Sequence, residues 1–216
     1  MTASTLLIAF PKGRLGDELV PKLAGTPLAL DAEALKSRVL RIPTATPGVA
    51  ALLLKGADLP RYVAAGVASL GIVGSDTLDE MDVDLLELAD LGFGACRLSL
   101  CAREGVPLES LRARPHLRLA TKFPRATEAW LAREGLTAEL VPLSSSAELA
   151  PLLGLADAIV DLVQTGGTLR AHGLVETAVL GHSSARLVAA RGAYLSEPGR
   201  LRPLADQLTA LLRRKV

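Results

Sequence analysis

Residues 148–169, ELAPLLGLADAIVDLVQTGGTL, decide how the rest of the chain is read. The apolar run Ala158-Ile159-Val160 ends in the carboxylate Asp161; two apolar residues follow, and then Gln164-Thr165-Gly166-Gly167-Thr168. A short, bounded apolar run predicts a buried strand. The paired glycines let the backbone curl so that successive N–H groups converge on an anion, and the threonines add hydroxyl donors. Asp161 falls at the strand's expected exit, where open α/β sheets bind ligands, and a carboxylate there accepts hydrogen bonds from sugar hydroxyls. Glu148 supplies a second acid upstream. Strand, acid and Thr/Gly loop suit a phosphorylated ribose; for TGGT taken alone, a Gly-rich turn that only caps a helix is the plainer alternative.

Working outward, a chain of 216 residues is long enough for one or two domains with a substantial core. Half of it is hydrophobic but only 3% is aromatic, so the core is built from Leu, Val and Ala. A net charge near +1 gives no bulk electrostatic reason to expect nucleic acid or a membrane surface as partner, so any anion site must come from local clustering. The cysteines, Cys96 and Cys101, lie five apart on one expected strand and point to opposite faces, which argues against a disulfide or a metal pair and for reduced thiols. LLIAF near the start is too short and lacks the basic lead of an export signal, and no run reaches membrane-spanning length. A cytoplasmic protein is expected.

The chain alternates between apolar runs and polar turns. TLLIAF at 5–10 reads as a strand, with Lys12 and Arg14 at its carboxyl end before a helix expected from about Asp17. Two cations beside a glycine and a helix start make an anion site, or equally a pair of solvated charges. Strands are also expected at 50–54, ending at Lys55, and at 68–73, ending in Gly74-Ser75-Asp76; between them Asp58 and Pro60 open a helix. Arg38 stands in a weakly alternating segment, 28–42. Residues 93–100 look like a crossing into a second lobe, 105–115 like a linker, and 117–121 and 139–143 like further strands around a helix at 126–134 whose Trp130 is core. Two more strands, 174–180 and 185–190, lead to an amphipathic helix at 201–212. Strands that each deliver polar residues at their carboxyl ends are the layout of an open, largely parallel α/β sheet. The expected lobes are 1–90 with 179–216, and 91–178 carrying the loop, with the site in a cleft between them.

Seven segments in order resemble the catalytic subunit of ATP phosphoribosyltransferase: PKGRL at 11–15, DLPRYV at 58–63, GIVGSD at 71–76, DLGFGACRLSL at 90–100, LATKFP at 119–124, the stretch from Glu148 to Leu174, and SSARLV at 183–188. The length resembles the short form of that family, without a C-terminal regulatory domain. The resemblance implies a two-lobed fold like a type II periplasmic binding protein. It also implies a histidyl-tRNA-synthetase-like regulatory partner in a hetero-octamer, and substrate-bound Mg²⁺ with no protein metal site. The implied reaction joins N1 of the ATP adenine to C1 of phosphoribosyl pyrophosphate, the first step of histidine biosynthesis. Carried over by position, Thr165, Gly166, Gly167 and Thr168 grip the 5-phosphate, and Glu148 and Asp161 meet the ribose hydroxyls. Lys12, Arg14, Arg38 and Lys55 face the pyrophosphate or ATP phosphates, with Lys12, Arg14 and Arg38 as the catalytic set. Asp76, Cys96 and Arg97 fall on the nucleotide side. This chain departs from the family's common residues at Lys55 (often Arg), Ser69 (Asp), Ser145 (Gly) and His172 (Asn). The rival readings are a non-catalytic two-lobed ligand-binding module and a phosphoribosyltransferase for another acceptor.

Overall fold

The computed structural model of the chain describes residues 5–213. It divides into two compact units, one running to Gly94 and resuming at Ser184, the other Ala95–Ser183.

The first unit opens with β1 (Leu6–Pro11), α1 (Arg14–Leu23), α2 (Ala32–Lys36), β2 (Arg41–Pro43), β3 (Val49–Leu54), α3 (Leu59–Ala64), β4 (Leu70–Gly74), α4 (Ser75–Met81) and β5 (Leu86–Asp90). The second unit holds β6 (Cys96–Arg103), α5 (Leu108–Arg112), β7 (Arg118–Thr121), α6 (Pro124–Glu134), β8 (Glu139–Pro142), α7 (Leu149–Leu152), β9 (Ala158–Val163), α8 (Gly167–Ala171) and β10 (Leu174–Ser183). The chain then returns to the first unit as β11 (Ala185–Ala189), α9 (Arg191–Ser196) and α10 (Pro198–Leu212).

In the first unit the strand order is β2-β3-β1-β4-β11-β5, with β1 parallel to both β3 and β4. Because side chains alternate across a strand, β1 feeds two cores. Ile8 and Phe10 pack with Leu19 and Leu23 of α1 and Leu204 and Leu208 of α10; Ala9 faces Leu59 and Val63 of α3. A central strand covered on both faces leaves little room for polar residues, which is why LLIAF at 6–10 reads as an unbroken apolar run. The second unit has the order β10-β6-β9-β7-β8. Its β9 likewise divides: Val160 lies with Leu98, Leu100, Leu119 and Trp130, while Ile159 and Val163 lie with Cys101, Ala120 and Leu169.

Several expectations change. Both sheets are mixed rather than largely parallel, since β11 runs antiparallel to β4 and β5, and β6 runs antiparallel to β9 and β10. The chain passes between units after Gly94 and after Ser183, where the sequence suggested 91 and 178, because β10 stays paired with β6 as far as Ser183 opposite Cys96. Residues 105–115 are not a plain linker. Leu111 is 1% exposed, and burying a leucine is worth roughly 1.5–3 kcal/mol, enough to wind a short helix around it. Finally, α1 begins at Arg14, its first turn closed by the Asp17 N–H donating to Gly13 O at 2.9 Å, so Arg14 is a helix residue rather than a loop residue.

Candidate functional site

The first unit gathers its cations at the carboxyl ends of neighbouring strands. Pro11 and Leu54 are register partners on β1 and β3, and the Lys12 N–H donates to Leu54 O at 2.7 Å. Lys12 and Lys55, each the first residue past its strand, therefore emerge side by side. Both are exposed, and neither side chain has a hydrogen-bonding or ionic partner among the described residues. Lys12 also lines a cavity of about 520 Å³ bounded by Pro11, Gly13, Asp17, Leu35 and Leu53. The approach of α1 to the end of β1 is set by Gly16: a Cβ there would lie 2.0 Å from Pro11 O. Only glycine allows that main-chain contact.

Arg14 donates through Nη1 to Gly94 O at 3.3 Å, and Glu18, one turn on, accepts the Gly94 N–H at 3.1 Å. The start of α1 is thus tied to the last residue of the first unit before the crossing. Asp76 sits in the first turn of α4 and accepts the Thr77 hydroxyl at 3.2 Å. Arg38 lies apart, exposed in the segment after α2, without a hydrogen-bonding or ionic partner among the described residues. Nearby in this unit, burial works to raise the Asp90 carboxyl. Hydrogen bonds from the Gly92 N–H and the Ser184 hydroxyl, with Arg186 and Arg213 beside it, still hold it below the ordinary range.

In the second unit the carboxylate and the loop follow one another, with one change. The strand β9 continues to Val163, so Asp161 sits within it rather than at its exit. Asp161 shares a face with Ile159 and Val163 and is 8% exposed. Its Oδ1 accepts the Leu162 N–H at 2.7 Å and is ion-paired with the Lys122 ammonium at 3.0 Å. Beyond Val163, Thr165 is exposed and Gly166 takes φ +72°, the left-handed conformation that turns the chain into α8. The first amides of α8, those of Gly167 and Thr168, have no intrahelical acceptor and are available to an anion. Arg170 braces the turn by donating to Thr165 O at 3.0 Å, and His172 Nδ1 lies 2.9 Å from Thr168 O. His172 is thus not a free surface side chain but closes the end of α8. Glu148 caps α7 by position but makes no capping hydrogen bond, which leaves its half-buried carboxylate uncommitted among the described residues.

Three groups absent from the sequence-level site join this face. Across the sheet from Asp161 stands Ser99, its register partner on β6, whose hydroxyl donates to Glu176 Oε2 at 2.8 Å. Glu176 in turn takes two hydrogen bonds from Arg97, Nε to Oε2 at 2.9 Å and Nη2 to Oε1 at 2.7 Å. That fork raises the Arg97 guanidinium above its ordinary value and, against the effect of burial, lowers the Glu176 carboxyl, with Ser99 assisting. Arg97 is thus engaged within its own unit. Cys96 is buried, as is Cys101, whose thiol is pushed up to about 12 first by burial and then by the charges of Glu176 and Asp161. Lys122, the third addition, follows β7 as Lys12 follows β1 and Lys55 follows β3, and that pattern was the available signal. Glu176 gave none, standing in a strand 79 residues from its partner.

Comparison with known proteins adds a further finding. A family model described as ATP phosphoribosyltransferase, HisG, matches residues 55–212. The ATP phosphoribosyltransferase of Deinococcus deserti is 49% identical over 213 residues, covering 98% of this chain and 94% of its own. Among solved structures, the ATP phosphoribosyl transferase (HisG:HisZ) complex from Thermotoga maritima superposes with a TM-score of 0.81 at 25% identity, over 97% of this chain and 100% of that one. The periplasmic aliphatic sulphonate binding protein SsuA of Escherichia coli matches at a TM-score of 0.60 and 15% identity, covering 98% of this chain and 75% of its own, a likeness of fold alone. The fold is the two-lobed α/β type of the periplasmic binding proteins.

Proposed function

The chain belongs to the ATP phosphoribosyltransferase family, and from that premise we propose how its residues share the reaction. The enzyme condenses ATP with phosphoribosyl pyrophosphate, forming a bond from adenine N1 to ribose C1 and releasing pyrophosphate, the first step of histidine biosynthesis. The observation that carries the assignment of residues is the succession of buried Asp161, the left-handed Gly166 and the open first turn of α8.

Adenine N1 already carries a lone pair, so no general base is needed to create the nucleophile. Pyrophosphate leaves readily once its charge is balanced. The burden falls on alignment and on electrostatic stabilisation of the departing group. In our reading, the amides of Gly167 and Thr168 and the hydroxyls of Thr165 and Thr168 receive the 5-phosphate, while Asp161 and Glu148 accept hydrogen bonds from the ribose hydroxyls. Lys12 and Lys55, placed side by side, serve with Arg14 and Arg38 on the pyrophosphate or the ATP phosphates. Asp76 and Arg97 serve the nucleotide, Arg97 as one half of its pair with Glu176. Cys96, buried, can take part only through its main chain.

Mg²⁺ enters as part of the substrate, neutralising diphosphate charge. Mg²⁺ usually keeps phosphate oxygens and water as its ligands rather than a protein cage. A histidyl-tRNA-synthetase-like regulatory subunit, the counterpart of HisZ in the Thermotoga complex, completes a hetero-octamer. We place the enzyme in the cytoplasm, where both substrates are made; no described helix is long and apolar enough to cross a membrane.

The test is pyrophosphate release measured with ATP and phosphoribosyl pyrophosphate, with and without a regulatory subunit. Release that depends on ATP is expected. Release that accepts free purines or orotate instead, or tight binding of both substrates without turnover, would overturn the assignment.

A further inference from the structure

We propose that Lys122 is a positioning residue for phosphoribosyl pyrophosphate, acting through Asp161: it fixes the rotation of that carboxylate so that one oxygen stays reserved for the ribose. This rests on the reading of Asp161 as a ribose ligand. Both contacts that hold Asp161, the hydrogen bond from the Leu162 N–H at 2.7 Å and the ion pair with Lys122 at 3.0 Å, converge on Oδ1. Oδ2 has no partner among the described residues. A carboxylate held twice by one oxygen cannot turn freely, and it presents the other oxygen with its lone pairs unfilled.

The turn that carries Lys122 is itself locked. Thr121, fully buried, pairs with Val160 across parallel β7 and β9, so Lys122 and Asp161 are the next residues along neighbouring chains. The Thr121 hydroxyl donates to Val160 O at 2.9 Å and accepts the Phe123 N–H at 2.9 Å. The Thr127 hydroxyl closes the far side, donating to Phe123 O at 2.7 Å. Residues on both sides of Lys122 are therefore fixed, one of them to the strand that bears Asp161. The lysine side chain itself is 40% exposed, and an ion pair with so much solvent at one end adds little to folding. Orientation, rather than stability, is what such a pair supplies. The lysine also offsets the charge of a nearly buried carboxylate that must otherwise meet an anionic substrate.

The experiment is a double-mutant cycle on the enzyme assembled with its regulatory subunit, using Lys122→Met, Asp161→Asn and the two together, with Lys122→Arg as the conservative variant. For each, kcat, the KM for phosphoribosyl pyrophosphate and the thermal midpoint are read. Lys122→Met is expected to raise that KM about tenfold with kcat changed less than about twofold, the size of coupling usual for groups in contact. With asparagine already at 161, the same change should move the KM less than about twofold, again on the scale of uncoupled sites. Lys122→Arg should recover most of the loss, and the midpoint should hardly move. An equal rise in KM in both backgrounds would overturn the proposal, because Lys122 would then touch the substrate itself. A fall in midpoint that tracks the loss of activity would overturn it in favour of a structural role. If Asp161→Asn alone leaves the KM unchanged, the ribose assignment falls and this proposal with it, an outcome distinct from the other two.

Discussion

Replacing Gly16 by alanine sets two opposed effects against each other at one atom. Glycine in a helix is less favourable than alanine by about 1 kcal/mol, so propensity alone predicts that Gly16→Ala stabilises α1. The geometry predicts the reverse. The new Cβ would stand 2.0 Å from Pro11 O and 3.0 Å from Pro11 C, where carbon and oxygen ordinarily keep roughly 3.3 Å. The obstacle is main chain and cannot swing aside. Pro11 is the buried end of β1, registered with Leu54, and the next N–H along is bonded to Leu54 O. On the other side, α1 is pinned by Leu19 and Leu23 in the core. Overpacking costs about 1–3 kcal/mol, and a clash that must move backbone belongs at the upper end. The net loss is then about 2 kcal/mol, a fall in melting midpoint of about 4–8 °C for a chain of this size. Calorimetry reads it, and Gly199→Ala is the control. In α10 nothing lies within 4 Å of that Cβ, so a rise of about 1–4 °C is expected there from propensity alone. Because the displaced turn carries Lys12 and Arg14, kcat should fall with the midpoint in Gly16→Ala. An unchanged or raised midpoint at Gly16 would refute the claim that this close approach fixes the turn.

Asp161→Asn removes a charged acceptor worth about 1.5–3 kcal/mol, so the KM for phosphoribosyl pyrophosphate should rise roughly 10- to 150-fold; Thr168→Ala should act in the same direction but less, and unchanged steady-state kinetics for both would dismiss the phosphoribose loop. Arg14→Ala should lower turnover more than it weakens ATP binding, read as separate changes in kcat and KM; a shift confined to thermal stability would leave Arg14 only its tie to Gly94. The Glu176 carboxyl is depressed by its pair with Arg97, so the stability it contributes is present above the ordinary carboxylate range and is lost as pH falls through the lowered value. Glu176→Gln should therefore flatten the dependence of urea midpoint on pH on the acid side of about 4.5, the ordinary value. A slope as steep as in the parent would show that other carboxylates set it.

What the sequence made legible followed from local pattern. LLIAF and the run Ala158-Ile159-Val160 announce buried strands because a strand covered on both faces reads as a nearly continuous apolar run. TGGT announces its turn because Gly166 must adopt positive φ. Leu201, Leu204 and Leu208 announce α10 by their spacing. The parts that stayed hidden are those fixed by distant partners. Asp161 looked like the end of a strand because a charge interrupts the apolar run, yet main-chain pairing with β6 runs on past it, Leu162 opposite Leu98 and Val163 opposite Arg97. Leu111 looked like linker among prolines and arginines until Leu117 and Trp130 supplied the core it enters. Glu176 and Arg97 find each other across antiparallel β10 and β6, whose pairing carries register shifts after Glu176 and after Val179, and no count along the sequence predicts which residues meet. Lys122 was visible as a cation after a strand, but its partner was not.

The Cys101 thiol, pushed up to about 12 by burial first and by the charges of Glu176 and Asp161, stays protonated at neutral pH. Alkylating reagents and disulfide donors attack thiolates, so this sulfur is silent toward them, and burial shields Cys96 as well. A cysteine introduced on the surface, for instance at exposed Leu195 on α9, would thus be the one quick-reacting position. Fluorophores or spin labels can be attached there while both native cysteines stay in place.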